Sequence, residues 1–216
     1  MMNIIITGAT GMVGEGVLLE CLENYAVKKV LMINRKPSDI KHPKLEELIV
    51  LDFMQLNRYA DFLQGYDACF YCAGVSSVGM NEIKYTYVTY DTTLAFARAL
   101  SEINPNMVFN FVTGSHTDTS ENGKIMWARV KGKTENDLMK LPFKGQYNFR
   151  PGFMKPFKEQ KNVKTILKIM IPLFPVLFPK KTLTLKDVGQ AMINTVKEGY
   201  PKQILEIEDI KILAEL

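Results

Sequence analysis

Ile4-Ile5-Ile6-Thr7-Gly8-Ala9-Thr10-Gly11-Met12-Val13-Gly14 is the stretch that decides the fold. A β-branched apolar run breaks into three evenly spaced glycines, and a helical pattern of Val13, Val17, Leu18, Cys21 and Leu22 opens directly behind them. This is a strand, a tight turn and a helix N-terminus. Unpaired N–H groups in the first helical turn and the positive end of the helix dipole suit an anion, and missing Cβ atoms let a phosphate reach the backbone. Gly8 is expected to make the turn, Gly11 to allow the close approach, and Gly14 to let the helix pack against its strand. The backbone from Thr7 to Gly14, with Thr10, Met12 and Val13, is the candidate diphosphate cradle. Its spacing is one residue longer in the first interval than Gly-x-Gly-x-x-Gly.

Outward from this turn, Lys29 to Ile33 reads as a second buried strand that ends in Asn34-Arg35. In a βαβ nucleotide site the end of this strand meets the adenosine ribose, where an Asp or Glu selects NAD through the 2′-hydroxyl. Here the place holds Asn34, and Arg35 beside it can pair with a 2′-phosphate, so NADP is expected ahead of NAD. Leu48 to Leu51 reads as a third strand with Asp52-Phe53 at its carboxyl end, and Asp67 to Cys72 as a fourth followed by the small residues Ala73-Gly74. Asn81 to Glu102 has helical period, with Ile83, Tyr87, Tyr90, Leu94, Ala97 and Leu100 on one expected buried face. Met107 to Val112 is a fifth strand running into Thr113-Gly114-Ser115-His116. A helix follows over 126–140, and then a sixth strand, Tyr147 to Phe149, ending in Arg150-Pro151-Gly152. Strands alternating with helices predict an α/β protein with a mainly parallel, doubly wound sheet of the Rossmann type. Residues past 153 leave that rhythm and are expected to form a small helical cap, with a capping box at Thr184 to Asp187.

At 216 residues the chain suits a single domain. Cys69 and Cys72 match Cys-x-x-Cys, but within a strand their side chains face opposite sides, so packing rather than metal or redox chemistry is expected of them and of Cys21. No metal site is expected. The N-terminus runs into the first strand without a signal sequence, and the apolar stretch Ile166 to Phe178 is interrupted by Lys168, Pro172 and Pro175, which points to a cytoplasmic, soluble protein. The net charge of +4 is uneven: Arg150 to Lys186 holds nine basic residues and one acidic. Over 158–171, Lys158, Lys161, Lys164 and Lys168 share one side of a helical projection, opposite Val163, Ile166, Leu167 and Met170. A cap over the cleft is the expected use of this stretch, ahead of a membrane surface or a contact between copies of the chain. No nucleic-acid module is present.

Taken together, Thr7 to Gly14, Asp52, Cys72-Ala73-Gly74, Ser115 and Arg150-Pro151-Gly152 resemble, in the right order, the marks of an extended or atypical short-chain dehydrogenase/reductase. The run Trp127 to Glu135 is similar to the Tat-interacting-protein branch of that superfamily and to bacterial epimerase/dehydratase-like proteins; the resemblance covers about residues 3 to 155. It implies a nicotinamide cofactor and a Ser, Tyr and Lys set in which tyrosine is the acid or base, lysine lowers its pKa and serine orients a carbonyl. Ser115 and Lys131 fit, but the residue four before the lysine is Trp127, and an indole N–H does not exchange protons at accessible pH. Two expectations follow: an oxidoreductase acting on a small carbonyl or alcohol with His116, Tyr85, Tyr87 or Tyr90 as substitute acid, or a catalytically inactive sensor of NADP(H) or a metabolite.

Overall fold

The computed structural model describes residues 1–163 and 182–216. Its centre is a seven-stranded sheet, every pairing of which is parallel: β1 (Met2–Thr7), β2 (Val27–Asn34), β3 (Leu45–Ile49), β4 (Ala68–Tyr71), β5 (Val108–Val112), β6 (Gly145–Phe149) and β9 (Ile204–Leu205), in the order β3-β2-β1-β4-β5-β6-β9. A separate two-stranded ribbon pairs β7 (Phe153–Lys155) with β8 (Thr182–Thr184). The chain runs outward from β1 to β3, returns to β4 and runs outward the other way, so the carboxyl ends of β1 and β4 flank the switch point where such sheets bind ligands.

Strand alternation explains how both faces are covered. Ile4 and Ile6 point to one side, with Val17, Leu18, Val188 and Met192, while Ile5 points to the other, with Leu31, Phe96 and Phe109. The first layer is α1 (Met12–Glu23), α6 (Leu185–Lys197) and α7 (Ile207–Ala214). The second contains the 3₁₀ segment Phe53–Tyr59, α2 (Ala60–Leu63), α4 (Thr92–Ile103) and α5 (Met126–Leu138). Cys69 and Cys72 fall on opposite sides, as expected, and all three cysteines are free thiols.

Four expectations need correction. The third strand is Leu45–Ile49 rather than 48–51: as an edge strand it carries exposed Glu46 and Glu47, so an apolar run was the wrong sign to look for. The helix over 81–102 is interrupted. After α3 (Glu82–Thr86), the turn Tyr87–Asp91 is a π-turn, in which both the backbone N–H and the hydroxyl of Thr92 donate to the Tyr87 carbonyl. The extra residue rotates the preceding turn, leaving Ile83 84% and Tyr87 53% exposed while Tyr85 and Thr89 turn inward.

The third correction concerns the start of the basic helix. Residues 158–163 are not helical: Lys158 and Glu159 form a turn, and the backbone N–H groups of Lys161 and Asn162 donate to the Glu15 carboxylate at 2.9 and 2.8 Å instead of to helical carbonyls. Gln160 pins the same segment by donating to the Met12 carbonyl at 2.7 Å. The remainder of that expectation, with Lys164, Lys168 and the apolar stretch 166–178, lies outside the described residues. The fourth is the role of the small helical cap expected past residue 153. Residues 182–216 instead complete the core: the capping box of Thr184 and Asp187 starts α6, Gly189 on α6 leaves room for Glu20 on α1, and β9 extends the sheet beside β6. Among the described residues no helix is long and apolar enough to cross a membrane, and no group of three or more His, Cys, Asp or Glu is gathered for a metal.

Candidate cofactor and active site

The glycine turn sits at the switch point. Gly8 has φ +71°, a left-handed conformation, and a Cβ there would come within 2.6 Å of the Cys72 carbonyl and the Ala73 nitrogen. The turn after β1 and the loop after β4 therefore lie backbone to backbone, and the Ala73 N–H donates to Thr7 Oγ1 at 3.2 Å. Gly14 serves a somewhat different purpose from the one expected: its missing Cβ would stand 2.2 Å from the Gly8 carbonyl oxygen, so the helix closes against the turn itself. Gly11 is the exposed N-cap of α1, lines the cleft described next, and brings no side-chain acceptor to the N–H groups of the first turn. This bare, outward-facing helix start fits the diphosphate of a dinucleotide.

A cleft of about 450 Å³ runs from this turn along the sheet edge, lined among others by Gly8, Thr10, Gly11, Asn34, Arg35, Asp52, Phe53, Cys72, Ala73 and Gly74. The structure thus gathers residues from the ends of β1, β2, β3 and β4 into one groove. Asn34 is buried at its far end, its Nδ2 donating to Glu47 Oε1 at 3.0 Å, with Arg35 exposed beside it. Asp52 is held by local bonds, Oδ1 accepting from the Met54 N–H at 3.0 Å and Oδ2 from Gln55 Nε2 at 2.9 Å. Phe53 packs on Phe96 with ring centroids 5.1 Å apart, making a firm apolar wall. Burial pushes the Cys72 thiol up to about 12, so it is a neutral lining group.

Beyond Gly74 the groove adjoins a small chamber lined by Val75, Tyr85, Thr89, Thr93, Phe111 and Lys131. Lys131 reaches it from α5, and its Nζ donates to the Thr113 carbonyl at 3.2 Å. Burial pushes this ammonium down to about 8, opposed in part by the Glu135 carboxylate one turn further along. Glu135 is no dedicated counter-ion for it. It lies fully buried, clasped by Arg150 (Nε to Oε1 at 3.1 Å, and an Nη2 bond to Oε2), and it also accepts from Thr113 Oγ1 at 2.6 Å.

Arg150 was expected at the cofactor, but its remaining Nη1 donates to Glu206 at 3.2 Å, so the guanidinium braces the floor beneath the site. Ser115 stands two residues beyond Thr113 with its N–H on the Pro151 carbonyl at 3.3 Å, and Gly152 follows in the same loop. Trp127 is half-buried in the first turn of α5, one helical turn before Lys131 and on the same face. Of the substitute acids, His116 is exposed with φ +75°, and Tyr90 donates to Asp137 at 2.6 Å, which raises its phenol to about 12. Tyr87 lines the groove, whereas Tyr85 faces Lys131's chamber with its phenol pushed up by burial. Glu47, Thr89, Thr93 and the structural role of Glu135 escaped the sequence. Only Glu135 left a signal, four residues after Lys131 and hence on its helical face.

Residues 4–134 match the model of the NAD dependent epimerase/dehydratase family. The chain belongs to that family. Among curated relatives of this epimerase/dehydratase chain, the rat protein HTATIP2 is 28% identical over 154 residues, 70% of this chain and 62% of its own length. FMP52-1, a mitochondrial protein of Scheffersomyces stipitis, is 23% identical over 231 residues, covering 100% of this chain and 98% of its own. The chain therefore spans less than two thirds of HTATIP2 and nearly all of FMP52-1. The fold is shared with the Bordetella bronchiseptica enzyme WbmF, solved with NAD⁺, at TM-score 0.70 and 16% identity over 99% of this chain and 76% of WbmF. It is shared too with a Burkholderia cenocepacia short chain dehydrogenase solved with NADP, at TM-score 0.64 and 16% identity over 95% and 87% of the two chains.

Proposed function

We propose that this epimerase/dehydratase-family chain binds NADP(H) along the groove and acts as an oxidoreductase on a small carbonyl or alcohol at the Lys131 end. The observation that carries this is the uncapped start of α1 beside a groove that adjoins, past Ala73 and Gly74, a small chamber holding a lysine with a lowered pKa. Arg35 at the adenosine end supports NADP(H) over NAD(H), because a guanidinium pairs with a 2′-phosphate through charge-assisted bonds. When bound, the cofactor supplies the hydride.

The chain's own residues do the rest. With the cofactor bound, the Met12 and Val13 N–H groups would hold its diphosphate and Lys131 would hold its ribose, while Ser115 hydrogen-bonds the substrate oxygen. Near neutral pH an amine with a pKa of about 8 is charged yet gives up its proton readily, so Lys131 donates in place of the phenol that Trp127 has replaced. A second reading, cofactor binding without turnover, is favoured by Trp127 itself, whose indole exchanges no proton. Following NADPH absorbance against a panel of aldehydes, ketones and keto acids, alongside a binding titration, separates the two. Turnover that is lost in Lys131→Met supports the oxidoreductase; saturable binding with no turnover over the whole panel supports the sensor.

A further inference from the structure

We infer that Glu47 is a selectivity residue of the adenosine end, acting through Asn34 to oppose Arg35. The inference rests on the dinucleotide site proposed above. Asn34 is 4% exposed at the carboxyl end of β2 and lines the groove, whereas Glu47 sits on the neighbouring edge strand β3. Glu47 Oε1 accepts from Asn34 Nδ2 at 3.0 Å and from the Ser38 N–H, also at 3.0 Å. An ionised carboxylate only accepts, so chemistry dictates which way the amide lies: its nitrogen must face Glu47, and its carbonyl arm is left for whatever enters the groove.

A fixed carbonyl oxygen at this place welcomes the 2′-hydroxyl of NAD, which can donate. It repels a 2′-phosphate, whose oxygens bring only lone pairs and charge. The Glu47 carboxylate adds its own negative charge one side chain away. Arg35, adjacent in sequence and lining the same groove, pulls the other way. The adenosine end thus carries two opposed determinants on neighbouring residues, and the acidic one is supplied by the next strand. Glu47 is a positioning residue here, since it touches the amide and the backbone of Ser38 rather than the groove.

The test is calorimetric titration of the full chain with NADPH and with NADH, using competition where direct heats are small, for the natural protein, Glu47→Ala and Glu47→Gln. Glu47→Ala frees the amide to turn and removes the charge, so the NADPH-to-NADH affinity ratio is expected to rise by about 10-fold. Glu47→Gln keeps an acceptor for Asn34 while removing the charge, and is expected to give a smaller rise. Thermal melts check that each variant is folded. If Glu47 merely anchors the loop bearing Ser38, both cofactors weaken alike and the ratio stays unchanged, which overturns the inference. Failure of the natural protein to bind either dinucleotide instead overturns the dinucleotide reading itself.

Discussion

Replacing Lys131 by Met tests whether the lysine is retained for chemistry at the expense of stability. Its ammonium falls from an ordinary 10.5 to about 8 on folding, with burial as the main cause. At 1.36 kcal/mol per unit this amounts to roughly 3 kcal/mol of penalty on the charged form. Residual solvent contact and loss of the hydrogen bond to the Thr113 carbonyl, worth about 1 kcal/mol, both reduce what a substitution recovers. Lys131→Met is therefore expected to stabilise the fold by about 1 to 2 kcal/mol near pH 7. The pH dependence has a definite sign. Because the folded pKa lies below the unfolded one, the penalty is complete below about pH 8 and fades as pH rises toward 10.5. The stability gap between variant and natural protein should close across that window. Urea unfolding at a series of pH values measures it. A variant less stable than the natural protein at pH 7, or a gap that does not change with pH, would refute the reasoning.

Two further substitutions probe the ends of the groove. Arg35→Ala should narrow the preference for NADP(H) over NAD(H) by about 1 to 3 kcal/mol, the usual loss for a charge-assisted bond, and calorimetry with both cofactors reads it directly. Trp127→Tyr restores a phenol one turn from Lys131; because Lys131 already supplies the proton, NADPH-dependent carbonyl reduction should rise by less than about 10²-fold, the least that an acid brings to a site without one, provided a thermal melt shows the smaller ring has not unsettled α5.

The glycine turn and the alternation of strands and helices made the core legible from residues alone, because both are local. Gly8, Gly11 and Gly14 stand where the chemistry of a turn and a helix start demands them, and the period-two burial of Ile4, Ile5 and Ile6 follows from the strand. What stayed hidden depends on distant partners. Nothing in the apolar spacing of Ile83 and Tyr87 announces a π-turn, which shows only through a helical bond pattern skipping one residue. Arg150 occupies a familiar place after β6, yet its partners Glu135 and Glu206 come from α5 and from the segment beyond β9. Likewise the lysines at 158 and 161 project well onto a helix, but Glu15, 146 residues away from Lys161, takes up the backbone donors that a helix would need.

The dinucleotide site itself is tested most directly by calorimetric titration of NADPH into the natural protein and into Gly11→Val. The branched side chain would project from the exposed N-cap of α1 into the space where a diphosphate must meet the backbone, while the sheet beneath is untouched. Saturable binding by the natural protein, abolished in Gly11→Val with its thermal melt preserved, is the predicted result. Near-native affinity in Gly11→Val, or no binding by the natural protein, would contradict it.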